Sequence, residues 1–64
     1  MPIITVEGPP VTDIDRKRKF VQKLTDATFE MYGIDKEHIV VLIRENKPEN
    51  VSAGGKLILD RRKK

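Results

Sequence analysis

Ile39-Val40-Val41-Leu42-Ile43 is a run of five consecutive aliphatic residues, and it decides the fold class of this 64-residue chain. A continuous apolar run bounded by polar residues predicts a strand that is covered on both faces, as in parallel sheets. Two parallel strands need a long crossover connection between them, which is usually a helix. The run therefore predicts that a first strand and a helix precede it in the sequence.

The predicted first strand extends from Pro2 to about Glu7 and contains a β-branched run. Gly8-Pro9-Pro10 ends it, because proline has no N–H group to donate to a sheet ladder. A strand, a helix and a second strand in this order form a right-handed crossover with parallel strands.

The predicted helix begins after Thr12 or Asp13, either of which is a suitable N-cap, and continues to about Tyr32. Gly33 follows as the expected C′ glycine. Its apolar positions recur at helical spacing and form one stripe: Ile14, Phe20, Val21, Leu24, Ala27, Thr28 and Met31. The stripe should cover one face of the two-stranded sheet.

The C-terminal part is predicted to be a polar loop over residues 46–50, a small glycine-rich segment over 51–55, and a last strand or hairpin arm at Leu57–Leu59. Gly54-Gly55 predicts a turn with positive φ that starts this hairpin. Residues 61–64 are expected to be a frayed basic tail. The prediction is a single α+β domain over residues 1–64, with a β-α-β core and a C-terminal hairpin.

Composition restricts the kinds of site that the chain can hold. There is no cysteine, which excludes disulfides, iron–sulfur clusters and thiolate zinc sites, and His38 is the single histidine. A metal site built from several histidines is therefore excluded as well. A chain of this size buries only roughly 60% of its unfolded surface and usually needs disulfides, metals or partner subunits. Because the second strand is apolar on both faces, a second copy is expected to cover the face that the helix leaves bare.

Charge and hydropathy bear on location and partners. The net charge is +3, with 13 basic and 10 acidic residues, so a polyanion or a small acidic substrate is permitted and neither is required. No apolar run is long enough to span a bilayer, and the beginning of the sequence lacks a signal-peptide pattern. We expect a cytoplasmic protein with no membrane partner.

Pro2 is the candidate catalytic residue. An initiator Met before proline is normally removed, which would leave Pro2 with a free secondary amine. That amine is rigid and nucleophilic, and burial or nearby cations lower its pKa because both disfavour the charged form. An N-terminal proline in such a place is able to act as a general base near neutral pH.

The chain resembles the 4-oxalocrotonate tautomerase family, in particular its small archaeal DmpI-like members. Four features carry the resemblance, in this order: Pro2-Ile3 opening a strand, Glu7-Gly8 ending it, an amphipathic helix through Phe20, Val21, Leu24 and Ala27, and Ile39–Glu45 followed by Ala53-Gly54-Gly55-Lys56-Leu57. The resemblance implies a β-α-β subunit with a C-terminal hairpin, assembled as a homohexamer of three dimers. It also implies a cofactor-free proton transfer by the N-terminal proline in an enol or unsaturated keto acid.

The arginines that bind substrate in the family are absent from the corresponding positions of this sequence. Val40 occupies the position of one, the loop Pro9–Thr12 contains no arginine for the other, and Val51 replaces a pocket-lining aromatic residue. This departure concerns binding of a dicarboxylate substrate, whereas the position of the general base is occupied by Pro2. The cations that remain as candidates for contacting substrate are Arg16, Lys17, Arg44 and Lys47.

Two alternatives stay open. The basic clusters at residues 16–19 and 61–64 would suit a small nucleic-acid-binding module, although helical spacing spreads the first cluster around its axis. A ribbon-helix-helix repressor would need a second helix at Ile39–Ile43. We expect no nucleic-acid partner. The other alternative is an assembly protein with the tautomerase fold and an inactive site.

Overall fold

The computed structural model describes residues 1–61, and its elements follow a β-α-β-β-β-α order. They are β1 (Ile3–Gly8), α1 (Ile14–Tyr32), β2 (Val40–Glu45), β3 (Ser52–Ala53), β4 (Lys56–Leu57) and α2 (Ile58–Arg61). Short 3-10 turns at Lys36–His38 and Pro48–Asn50 lie on either side of β2. The predicted α+β class, with a β-α-β unit and a C-terminal hairpin, is confirmed.

β1 and β2 form a parallel pair, as predicted from the aliphatic run. The register aligns Ile3 with Val40 and Gly8 with Glu45. Two further hydrogen bonds extend the ladder at its ends, from the Val40 N–H to the Pro2 carbonyl at 3.0 Å and from the Asn46 N–H to the Gly8 carbonyl at 2.8 Å. Residues 2–8 are therefore joined to the second strand by ladder hydrogen bonds.

β2 begins one residue later and ends two residues later than the predicted Ile39–Ile43. Ile39 lies outside the strand because its N–H closes the preceding 3-10 turn by donating to the Lys36 carbonyl at 3.1 Å. Among residues 1–61, Ile39 is nevertheless the one hydrophobic residue that is buried, with 9% of its surface exposed. β1 is likewise displaced by one residue from the predicted Pro2–Glu7.

The caps of α1 agree with the sequence prediction. The Asp13 Oδ1 accepts hydrogen bonds from the N–H groups of Asp15 and Arg16 at 3.1 and 3.3 Å. Gly33 has a φ of 68°, and its N–H donates to the Phe29 carbonyl at 2.7 Å. These caps satisfy backbone groups that a helix leaves without intrahelical partners at its ends.

The helix covers one face of the sheet and leaves the other open. Because side chains alternate along a strand, Ile4, Val6, Val41 and Ile43 point toward α1. The opposite side, which we call the open face, carries Ile3, Thr5, Glu7, Val40, Leu42 and Arg44. On this face Ile3 is 56% and Leu42 is 44% exposed. A single chain thus covers the apolar strands on one side only.

The chain is flat, and Ile39 is the one buried hydrophobic residue among residues 1–61. Its principal extents are 46 × 25 × 14 Å, and its radius of gyration is 15.3 Å. A compact domain of this length is expected to have a radius of gyration of about 11 Å. Residues 1–61 are therefore more extended than a compact domain of this length.

The predicted arm at Leu57–Leu59 is wrong in its extent. β4 ends at Leu57, and Ile58 begins α2. In the register of the hairpin, Leu59 would pair with Asn50. Asn50 belongs to the 3-10 turn at Pro48–Asn50 and is not extended, so the pairing ends before Leu59. The hairpin turn itself is as predicted, because Gly54 and Gly55 have φ values of 61° and 81°, the pair required by a type I′ turn.

Arg61 is part of α2, and its Nη2 donates to the Ala53 carbonyl at 3.1 Å, so it is held against the hairpin. The rest of the predicted frayed tail, residues 62–64, lies outside the described residues. β2 also excludes a ribbon-helix-helix fold, because it is a strand where that fold needs a helix. Within residues 1–61, no helix combines the length and the apolar character that crossing a bilayer requires.

Candidate active site

Pro2 lies immediately before β1 and is half-buried, whereas Met1 is 81% exposed. The Pro2 carbonyl accepts a hydrogen bond from the Val40 N–H. Pro2 therefore cannot move away from the sheet without breaking this bond. While Met1 is attached, the Pro2 nitrogen is an amide and has no basic lone pair. Val40, the predicted pocket-lining residue, is its hydrogen-bonded neighbour in β2.

The four candidate cations lie at the other end of the sheet. Arg44 stands opposite Glu7 in the register, four residue pairs from the end where Val40 meets Ile3. Four residues along a strand correspond to about 13 Å. Lys47 precedes the 3-10 turn at Pro48–Asn50. A single chain therefore does not bring these residues to Pro2.

Arg16 and Lys17 occupy the first turn of α1, next to the carboxyl end of β2. The Lys17 ammonium forms an ion pair with the Glu45 carboxylate at 2.5 Å. Arg16 takes part in no ion pair among residues 1–61. The charge of Lys17 is thus compensated by a carboxylate, whereas that of Arg16 is not compensated by any ion pair among residues 1–61.

Glu45, for which the sequence predicted no role, is the last residue of β2. Its Oε2 accepts the Val11 N–H at 2.9 Å and also contacts Lys17. These contacts, first the hydrogen bond from Lys17 and then that from Val11, hold the pKa of Glu45 below its ordinary value. The sequence signal was strand parity, since Glu45 shares the helix-facing side with Ile43 and meets the basic start of α1.

Two grooves open at this end of the sheet. The first, which we call the helix groove, has a volume of about 450 Å³ and apolar walls formed by Val6, Val11, Phe20 and Ile43. Its charged lining residues are Arg16, Lys17 and Glu45. Both its size and its apolar lining fall within the range of small-molecule sites.

The second groove, the hairpin groove, has a volume of about 470 Å³ and lies between the end of β1 and the start of α2. Val51, the other predicted pocket-lining residue, is in its wall together with Pro48 and Ile58. Gly8 and Pro9 line both grooves, so the two are adjacent. Pro2 and Val40 line neither of them.

Within residues 1–61, no three His, Cys, Asp or Glu side chains gather closely enough to hold an ion. The structure provides a proline at one end of β1 and two apolar grooves at the other end, of which the helix groove is lined by basic side chains.

A sequence profile described as "Tautomerase enzyme" matches residues 2–61, which is nearly the whole chain. The chain belongs to the tautomerase family. It is 35% identical over 60 residues to a 2-hydroxymuconate tautomerase of Bacillus subtilis (strain 168), covering 94% of this chain and 97% of the relative. The resemblance to the family inferred from the ordered motifs is thereby confirmed.

Solved structures of this family superpose on the chain. DmpI from Archaeoglobus fulgidus is 47% identical, with a TM-score of 0.82 over 92% of this chain and 100% of its own. A 4-oxalocrotonate tautomerase from Chloroflexus aurantiacus J-10-fl, described as a heterohexamer, is 16% identical, with a TM-score of 0.83 over 97% of this chain and 100% of its own. The second likeness shows the shared fold alone.

Proposed function

We propose that this chain is a cofactor-independent tautomerase in which Pro2, freed by removal of Met1, is the general base. The substrates are 2-hydroxydienoates or other enol and keto acids. Membership of the tautomerase family supports this activity, as does the similarity to a relative named 2-hydroxymuconate tautomerase. The observation that carries the proposal is the position of Pro2, which is half-buried and hydrogen-bonded just before β1, next to a Met1 that is 81% exposed.

The proposed reaction moves one proton and leaves the substrate's composition unchanged. The lone pair of the Pro2 nitrogen takes the proton of the substrate 2-hydroxyl group. The electrons of the broken O–H bond stay on the oxygen, which gives a conjugated dienolate. The ammonium then returns the proton to a carbon of the conjugated chain, which restores the amine and leaves the ketone. Cationic or hydrogen-bonding groups are needed to stabilise the dienolate oxygen.

Pro2 needs a second copy to reach the grooves. β1 is an edge strand, because the sheet has the order β1-β2. Two copies that pair their β1 strands antiparallel about Thr5 would place Pro2 of one opposite Gly8 of the other. Gly8 lines both grooves, so this pairing would bring the base to the rim of each. Completion of the site by a second copy is part of the proposal.

The assembly that we propose is a homohexamer built as a trimer of dimers. The exposed Ile3 and Leu42 side chains of the open face, and the large radius of gyration, support burial against further copies. The number of six copies is the one that the resemblance to the family implies. Sedimentation velocity on the purified protein measures this state directly.

The function is tested by kinetics on a protein of verified mass. Intact mass spectrometry should find a chain that begins at Pro2, and this protein should convert 2-hydroxymuconate and phenylenolpyruvate to their keto forms. Pro2→Ala should lower the rate by about 10² or more, the range for loss of a general base. Equal rates for the two proteins would refute the role of Pro2, and a wild type inert toward both enols would leave an assembly protein of this fold.

A further inference from the structure

The helix groove contains two cations, and the structure compensates only one of them. Lys17 and Glu45 form an ion pair at the groove, while Arg16 is without an acidic partner among residues 1–61. Counting Arg16 and Lys17 as +1 each and Glu45 as −1 leaves a single positive charge on the lining. The groove therefore has charge complementarity for one carboxylate.

The remaining lining of the groove is apolar. Val6, Val11, Phe20 and Ile43 form its walls, and Phe20 as a whole is 40% exposed. A ligand with an aromatic or branched apolar body would bury that surface. A second carboxylate on the ligand would meet either these walls or the carboxylate of Glu45, and an unpaired charge in an apolar site is unfavourable.

Glu45 is well placed to keep Lys17 from binding an anion. Its carboxylate is held in position by the Val11 N–H at 2.9 Å as well as by Lys17 itself. Removing only its charge would therefore release the ammonium. A glutamine at this position would still accept the Val11 N–H through its amide oxygen, so the loop before α1 would keep its hydrogen bond.

We infer that the helix groove selects substrates with one carboxylate and an apolar tail over dicarboxylates, with Arg16 binding the carboxylate and Glu45 setting the selectivity by occupying Lys17. The inference rests on the proposed function, in which Pro2 of a second copy reaches the rim of this groove. Aryl and branched-alkyl enolpyruvates are the chemical class that matches. Glu45 is a positioning residue in this scheme, because it acts through Lys17.

The test compares kcat/KM for phenylenolpyruvate and for 2-hydroxymuconate in four proteins: the wild type, Glu45→Gln, Arg16→Gln and Glu30→Gln. Glu45→Gln should raise the dicarboxylate-to-monocarboxylate ratio by about tenfold, mainly through KM, because one charge-assisted hydrogen bond becomes available. Arg16→Gln should lower kcat/KM for both substrates by about tenfold, again through KM. Glu30→Gln, which makes the same change of charge outside the groove, should match the wild type.

Binding of unreactive acids separates this inference from the proposed function. Calorimetry should show 3-phenylpropanoate binding to the wild type more tightly than adipate, and Arg16→Gln should lose most of that affinity. Two results would overturn the inference even if Pro2→Ala still lowered turnover. They are an unchanged substrate ratio in Glu45→Gln and equal 3-phenylpropanoate affinity in the wild type and Arg16→Gln. Failure of the wild type to bind either acid would assign the groove to a contact between copies and would also overturn it.

Discussion

The carbonyl oxygen of Pro2 accepts a hydrogen bond from the N–H of Val40 at 3.0 Å. This bond joins the proposed base to the first residue of the second strand, 38 positions along the chain. It lies at the start of the parallel ladder, next to Ile39, the buried hydrophobic residue of the described chain. The position of the terminus therefore depends on the formation of the sheet and on the burial of Ile39.

We predict that Ile39→Ala destabilises the protein far more than Ile14→Ala. Truncating a buried isoleucine to alanine costs about 2–5 kcal/mol, because it removes apolar contacts and leaves a cavity. Ile14, in the first turn of α1, is 55% exposed and provides a matched control. Urea unfolding at one fixed protein concentration measures both changes, and equal losses of unfolding free energy would contradict the prediction.

We predict an acid-sensitive contribution to stability from Glu45. Lys17 and Val11 lower the pKa of Glu45 in the folded protein, so its contribution is fully present above the pKa of an unfolded glutamate, about 4.3. The contribution is lost as the pH falls from there through the folded pKa. Thermal melts from pH 7 to pH 3 should fall less steeply for Glu45→Gln than for wild type.

A comparison variant makes this pH prediction specific. Glu30, on the exposed side of α1, makes no ion pair among residues 1–61. Glu30→Gln should keep the pH profile of the wild type. If all three proteins lose stability in parallel on acidification, the contacts of Glu45 do not contribute in solution.

We predict that Gly55→Ala weakens the hairpin and that Gly8→Ala does not destabilise the sheet. Gly55 has a φ of 81°, which an alanine side chain adopts only at a cost of about 1 kcal/mol. Within the single chain an added Cβ has open space at both positions, and the φ of Gly8 is not positive. The measurement is the midpoint of chemical unfolding. Gly55→Asn should recover part of the loss, because asparagine tolerates the left-handed region.

We predict that Leu42→Lys prevents assembly. Leu42 lies on the open face and is 44% exposed in the single chain, so an ammonium there would be buried unpaired when copies pack over it. Met31→Lys is the control, because Met31 is 72% exposed near the end of α1. Sedimentation velocity should find small species for Leu42→Lys and the wild-type state for Met31→Lys. Full assembly of Leu42→Lys would show that the open face is not an interface.

The sequence predicted those parts of the molecule whose causes are local. The cap at Asp13, the stop at Gly33 and the turn at Gly54-Gly55 depend on a side chain or a positive φ within a few residues, and all three are confirmed. The parallel pairing followed from the apolar run of β2 combined with a helix of sufficient length. The end of the hairpin arm was wrong because it depends on whether β3 has extended residues opposite Leu59.

What the sequence by itself determined is the β-α-β unit, its caps and its turns, because neighbouring residues set the backbone conformation there. The tertiary structure decided which charged side chains pair and where the grooves form. The Val11 N–H and Glu45, 34 positions apart, meet only when β2 and α1 are in place, and that meeting occupies Lys17 while leaving Arg16 without an acidic partner among residues 1–61. It also placed Pro2 and the basic residues at opposite ends of one sheet, because parallel strands carry their N-termini to one edge and their C-termini to the other.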